Sequence, residues 1–399
     1  MKSKRPADVF FVFTFLLFIV VVMAVTIFKP KLTSSYYEQR TLAAQPEFDI
    51  RNILSNDYTH GWEEFFTDHA AGRQTMLIAG TTIDLKIRKR PVVNDVVVLD
   101  GLYLRFNEYD PVDETLIRER AKTMADEMSA FNDIVSSYGG SFYYVAVPTH
   151  YIWFDDQYPW YLDDRKQLTK VTLDTFSSDM ADAGVDLLLP FSGLTPESTQ
   201  DEPPLFSTSD HHYTFFGAYK TYRTIIERIN SDGIYQLPLL DYDDFEFFTL
   251  PNPFMGSRMR SLMGVPGMTE RATIAVLNEE IPFTRNEKGV QFENPIVYFL
   301  PDDPWEVVDY GIYMGGDVEE VVIDTGRNLP NILLFGDSYT NAVECLLYTS
   351  CGEMRSVDLR HYKDMPLSEY VQIFKPDIVV CLRGYSAILE YANNGKVMS

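Results

Sequence analysis

The chain has 399 residues, 46% of them hydrophobic and 23% charged, which supplies a packed core and excludes wholesale disorder. Its net charge of −24, with no Lys/Arg run long enough to offset it, excludes nucleic acid as a partner and disfavours a polyanionic substrate. Three cysteines, Cys345, Cys351 and Cys381, are too few and odd in number for a disulfide framework and lack zinc-site spacing, so they read as buried thiols, with a local Cys345–Cys351 pair as the alternative.

Residues 1–8 form a cytoplasmic tail with Lys2, Lys4 and Arg5, and residues 9–28 (VFFVFTFLLFIVVVMAVTIF) follow with only Thr14 and Thr26 polar. About 20 apolar residues cross the hydrocarbon core of a bilayer. No small-x-small cleavage site precedes the end of this run, and Lys29 and Lys31 follow it. The expectation is an uncleaved signal anchor with the N-terminus inside and the rest of the chain outside.

Residues 29–110 read as a linker and an N-terminal helical and hairpin region. Trp62, Phe65, Phe66, Met76, Leu77 and Ile83 recur at helical spacing between Gly61 and Arg90. PVVNDVVVLDGLYLRF (91–106) suggests two strands around Asp100-Gly101. Asp68, His69 and Arg73 suggest a structural network that docks these helices.

Residues 111–234 read as the first part of an α/β core. An amphipathic helix over 114–138 stops at Gly139-Gly140, and SFYYVAVP (141–148) is a strand buried on both faces. A helix over 166–182, a strand over 185–190 and a helix over 214–229 follow. Residues 235–330 lose the helical pattern and read as a β-rich insertion. In residues 331–399, strands at 331–335, 354–359 and 377–382 alternate with helices at 339–349 and 367–374. That alternation predicts βαβ units, a parallel sheet and a three-layer α/β/α core.

The sharpest local signal for chemistry is Phe335-Gly336-Asp337-Ser338-Tyr339, where a buried strand meets a helix. Sites of α/β proteins sit at that edge, and the helix amino end suits a developing oxyanion. Asp337 and Ser338 are also favoured helix caps. A serine nucleophile needs a base and an orienting acid. Of six histidines, only Ser209-Asp210-His211-His212-Tyr213 offers an acid beside one. In an extended loop, residues two apart face the same way, so Asp210 and His212 face Ser338 together while His211 points elsewhere. A metal site from Asp210, His211 and His212, with Asp337 as a further ligand, is the other chemistry open to this cluster.

The D-H-H-aromatic element upstream of a GDSY sequence resembles the bacterial DHHW proteins. These are similar to the SGNH-hydrolase-like domain of periplasmic alginate O-acetyltransferases. EQRTLAAQPEF (38–48), FFTDHAAGR (65–73), SDHHYTFFGAY (209–219), YMGGD (313–317), LLFGDSYTN (333–341) and VDLRHY (357–362) carry the likeness across nearly the whole extracytoplasmic chain. Tyr213 stands where the family name expects Trp, and the Gly and Asn blocks of ordinary SGNH hydrolases have no counterpart.

The resemblance implies Ser338 as nucleophile, His212 as base, Asp210 as its orienter, and no metal or organic cofactor. It also implies a polysaccharide substrate and, as acyl donor partner, a multi-spanning membrane O-acyltransferase. Tyr339, Asn341, Arg360 and His150 are further candidates for oxyanion or substrate contacts, and Tyr151, Trp153, Trp160 and Tyr161 for a sugar platform. Two rivals to acyl transfer stay open: a carbohydrate acetylesterase with the same triad, and a non-catalytic glycan-binding or export-complex scaffold.

Overall fold

A computed structural model describes residues 6–38, 40–49, 51, 56–106, 113–162, 166–390 and 397–398. The chain divides into two compact units: residues up to Asn94 with Arg260–Pro266, and Asp95–Met259 with Gly267–Ser399. The division falls earlier than residue 110, which lies outside the described residues, as do Lys2, Lys4 and Arg5.

In the first unit, α1 (Pro6–Phe28) is long and apolar enough to cross a membrane. Its last turn is fastened to the unit: Thr26 is buried, and its Oγ1 accepts a hydrogen bond from the Ala71 amide at 3.0 Å. Lys31 donates to the Thr26 carbonyl and lies 4.9 Å from the centre of the Phe65 ring. The single helix expected between Gly61 and Arg90 is two, α2 (Asp57–His69) and α3 (Arg73–Thr82), broken at Gly72 with φ +77°. Glycine adopts that conformation without steric cost. A π-helical turn, Ile83–Ile87, prolongs α3. Arg73 grips Glu38 at 2.7 and 2.9 Å, Asp68 pairs with Arg40 and accepts from the Ala43 amide, and His69 bonds the Ala43 carbonyl at 2.8 Å.

The second unit opens with a hairpin of β1 (Val96–Val98) and β2 (Tyr103–Arg105) across Asp100-Gly101. Then come α4 (Glu114–Ser137), capped by the Asp113 carboxylate on the Thr115 amide, β3 (Ser141–Val147), α5 (Lys166–Asp182), β4 (Asp186–Leu188) and α6 (Phe215–Ser231). The next strands are β5 (Phe245–Thr249), β6 (Thr273–Leu277), β7 (Thr284–Glu287), β8 (Val290–Gln291) and β9 (Glu320–Asp324). The chain ends β10 (Ile332–Gly336), α7 (Thr340–Leu347), β11 (Glu353–Asp358), α8 (Leu367–Phe374) and β12 (Ile378–Gly384).

Eight strands form one mixed sheet in the order β8-β7-β9-β11-β10-β12-β3-β4. From β11 to β4 all pairs are parallel, while β9, β7 and β8 extend the edge antiparallel. The segment 235–330 is therefore more than a covering insertion, since three of its strands widen the central sheet and only β5 and β6 pair apart. Side-chain alternation along β3 assigns the two faces. Phe142, Tyr144 and Ala146 join the core with residues of α4, α5 and α8. Tyr143 turns the other way and donates to Asp232 at the end of α6, and Tyr222 of α6 bonds Ser350 just past α7 at 2.8 Å. The three cysteines are free and buried. In register, Gly336 lies opposite Asp358 and Leu382, so the carboxyl ends of the parallel strands share one edge.

Candidate active site

The strand-to-helix turn after β10 is fixed by its backbone. A Cβ on Gly336 would lie 1.9 Å from the Leu382 carbonyl oxygen, so no larger residue fits beside β12. The Asp337 carboxylate accepts from the Tyr339 and Gly384 amides, both at 3.0 Å, tying the turn to the end of β12. Burial raises the Asp337 pKa, and those two amides oppose the shift. Ser338 is thereby presented at the amino end of α7.

The facing loop, residues 207–213, is held from outside its own sequence. Glu270 accepts from Ser207 Oγ at 3.0 Å, Ser209 N at 3.0 Å and Ser209 Oγ at 2.5 Å. Gly256 lets a second segment close in, because a Cβ there would sit 2.3 Å from the Ser209 carbonyl oxygen. The Ser257 amide then donates to Asp210 Oδ2 at 2.6 Å. Asp210 Oδ1 receives the His212 amide at 3.0 Å and His212 Nδ1 at 2.5 Å.

His212 Nε2 lies 2.7 Å from Ser338 Oγ. A carboxylate only accepts, so Nδ1 carries the proton and Nε2 keeps its lone pair for the serine hydroxyl. The imidazole is stacked on Tyr310 with ring centres 3.8 Å apart and planes within 9°, and Tyr339 meets its edge at 5.2 Å. Burial alone would raise the Asp210 pKa, yet His212, His211 and the Ser257 amide together hold it well below the usual carboxylate range.

The remaining candidates occupy defined places. His211 turns to Ser257 Oγ at 2.7 Å; its side chain keeps 39% of its surface, yet the enclosing protein and neighbouring His212 lower its pKa well below the ordinary value. Tyr339 Oη donates to the His211 carbonyl at 2.7 Å, and Tyr213 donates to the Tyr339 carbonyl. Asn341 Nδ2 donates to Asp317 Oδ1 at 3.2 Å. Arg360 pairs with Asp358 at 2.6 Å and Asp317 at 2.9 Å. His150, expected to line a cleft, is fully buried instead and bonds the Ser207 carbonyl at 2.8 Å; burial pushes its pKa down to about 3. Two of the four platform aromatics are also core residues: Trp153 stacks on Phe206 at 4.9 Å and Tyr151 is buried, whereas Trp160 is 91% exposed and Tyr161 is exposed beside it.

Asp210, His211 and His212 place ligand atoms within 4.8 Å of one another, the spacing a metal would need. Both His212 nitrogens and His211 Nδ1 already serve Asp210, Ser338 and Ser257, so the donor set fits a proton relay better than a cation. A second such group, Asp317, Asp358 and His361, already holds a cation in the Arg360 guanidinium.

Among solved structures, a DHHW family protein from Eubacterium siraeum superposes with a TM-score of 0.56 at 16% identity, over 77% of this chain and 97% of its own. In fold the chain resembles the DHHW proteins. Bacillus cereus PatB1 bearing a sulfonyl adduct matches with a TM-score of 0.60 at 19% identity, over 73% of this chain and 94% of PatB1. The O-acetyltransferase domain of Pseudomonas putida AlgJ matches more loosely, with a TM-score of 0.44 at 13% identity, over 74% of this chain and 92% of its own. No protein-family profile matches the sequence, and no curated protein is similar to it in sequence.

Glu270, Gly256, Ser257 and Tyr310 escape a reading of the sequence, because each reaches the site from a distant segment. The only local hint is that Tyr310 lies just ahead of the YMGGD block.

Proposed function

We propose that this chain is a membrane-anchored, extracytoplasmic O-acyltransferase with an SGNH-hydrolase-like core. Its acyl group is acetyl and its acceptor a hydroxyl of a cell-surface or exported polysaccharide. The observation that carries the reading is the hydrogen-bonded series Asp210–His212–Ser338, ending at the amino end of a helix. The sulfonyl adduct on the PatB1 neighbour agrees with it, since such an adduct forms when a nucleophilic side chain attacks an electrophilic sulfonyl group.

In the first half-reaction, Ser338 Oγ attacks the acyl carbonyl while His212 Nε2 takes its proton. Asp210 stabilises the imidazolium, and the Ser338 amide and the α7 amino end face the negative charge of the tetrahedral intermediate. Collapse expels the donor's leaving group with the proton from His212. An acceptor hydroxyl then attacks acyl-Ser338, giving its proton to His212, and the ester leaves as Ser338 recovers a proton. A multi-spanning membrane O-acyltransferase, implied by the family resemblance, would supply the donor beside the anchor. Water in place of the sugar hydroxyl gives the acetylesterase.

The test uses the full chain in detergent with an aryl acetate, with and without an oligosaccharide acceptor. Acetyl-Ser338 should be seen by mass spectrometry and should be discharged faster by the acceptor than by water. Ser338→Ala and His212→Ala should each remove most turnover, and the double variant should be scarcely worse than either, because the two act as one unit. Aryl acetate turnover that survives Ser338→Ala would end the proposal, and equal discharge by water and acceptor would make the protein an esterase.

A further inference from the structure

The second half of the first unit carries an unusual surface. Along α3 and its π turn, the outward side chains are Met76, Ala79, Ile83 and Ile87, with Gly80 among them. Met76 is 60% exposed, Ile83 41% and Ile87 73%. Leu77, Ile78, Thr81 and Leu85 face the unit, so this helix turns apolar residues to both sides. The outward stripe ends in Lys86, Arg88, Lys89 and Arg90, four bases in five positions of a chain whose net charge is −24. Asp84 answers only part of that charge, pairing with Arg88 at 2.9 Å and Arg90 at 3.5 Å.

The stripe begins beside the end of α1. Ala71, two residues before α3, donates to Thr26 in the last turn of α1, so the two helices are joined where α1 leaves its apolar run. Phe28 and Leu32 are exposed at the same place, on either side of Lys29 and Lys31. An apolar helix face flanked by Lys and Arg is the composition that settles into the headgroup layer of a bilayer, and anionic lipid adds attraction for each base. A second copy of the chain fits worse: packed parallel along α3 it would bring the two basic clusters together, and packed antiparallel it would leave them without acidic partners, since Asp84 is the single acid of residues 73–90.

We propose that the outward face of α3 and its π turn lies in the headgroup layer of the membrane that α1 crosses, with Lys86, Arg88, Lys89 and Arg90 held by anionic phospholipids. The proposal rests on α1 as an anchor and is independent of acyl transfer. It makes the first unit a membrane-seated base rather than a loose tether.

The test reconstitutes the full chain in phosphatidylcholine vesicles with or without phosphatidylglycerol. An environment-sensitive fluorophore is placed on Ile83→Cys, on Phe15→Cys within α1, or on Val290→Cys as an exposed site of the second unit. Lipids brominated near the headgroup should quench the Ile83 probe, more strongly when phosphatidylglycerol is present, and leave the Val290 probe bright. Lys86→Gln with Lys89→Gln, which spares both Asp84 pairs, should abolish most of the phosphatidylglycerol dependence. A bright Ile83 probe beside a Phe15 probe quenched by deep bromines overturns the proposal and leaves the anchor standing. If both probes stay bright, the anchor reading falls with it. Ile83 probes that self-quench as protein per vesicle rises, with no response to brominated lipid, would assign the face to a second copy.

Discussion

The imidazole of His212 meets Asp210 and Ser338 at its nitrogens, Tyr310 on its face, Tyr339 at its edge and the tilted His211 ring 3.7 Å away. A ring clamped in this way cannot swing out of line with the serine, and an electron-rich face beside it would favour the imidazolium of the proposed mechanism. Tyr310→Leu should therefore lower kcat roughly tenfold with little change in KM, since a face-on aromatic contributes about 1–2 kcal/mol to a desolvated cation. Tyr310→Phe keeps the ring and removes a buried hydroxyl that has no partner among the described residues. It should leave kcat nearly unchanged and the melting temperature equal or higher. His150 gives a pH prediction. Its pKa is about 3 when folded, against an ordinary 6.5, so between those values the unfolded chain binds a proton that the folded one refuses. Stability thus rises with pH across that window and falls on acidification. Between pH 7 and pH 5 the loss from this one group is about 2 kcal/mol. His150→Gln keeps a donor for the Ser207 carbonyl and should remove that part of the loss, measured by urea unfolding at the two pH values.

Gly256 acts through the segment it belongs to, letting residues 256–257 press against the 207–213 loop and bring the Ser257 amide to Asp210. Gly256→Ala should cost about 1–3 kcal/mol of stability by overpacking against backbone, and it should depress turnover by shifting Asp210. Gly80→Ala, where a Cβ meets nothing within 4 Å, is the control and should be neutral or stabilising by up to about 1 kcal/mol as a helix-interior glycine. Thermal melts and aryl acetate turnover read both. These two glycines also mark what the sequence discloses. Asp210 and His212 could be paired from the sequence because they are two residues apart, and Ser338 stood out because a buried strand, a glycine and a helix surround it. Glu270, 61 positions from Ser209, makes contacts that no local pattern announces. Likewise Trp153 and Trp160 sit in one aromatic run, and the packing of Phe191 and Phe206 against Trp153 separates the core residue from the exposed one. The strands β7, β8 and β9 read as an insertion because these short strands lack the unbroken apolar run of β3 or β12.

At the scale of the molecule, the proposed anchor α1 would decide where the chain works. The mature protein should keep its N-terminus and partition wholly with membranes, as N-terminal sequencing of the membrane fraction would establish; a soluble form beginning near residue 30 would rule the anchor out. The order of the sheet has a consequence in time. The last strand of the chain, β12, lies between β10 and β3, and its Gly384 amide is one of the two that hold Asp337. Closing β3 against β12 joins segments more than two hundred residues apart, a contact that chains make late and slowly. A growing chain that has already made Asp210, His212 and Ser338 still lacks the strand that unites the two halves of its parallel sheet. On the proposed mechanism, Ser338 should therefore stay unreactive until β12 has joined the sheet, and a chain that stops short of residue 378 should show no aryl acetate turnover although it carries Asp210, His212 and Ser338.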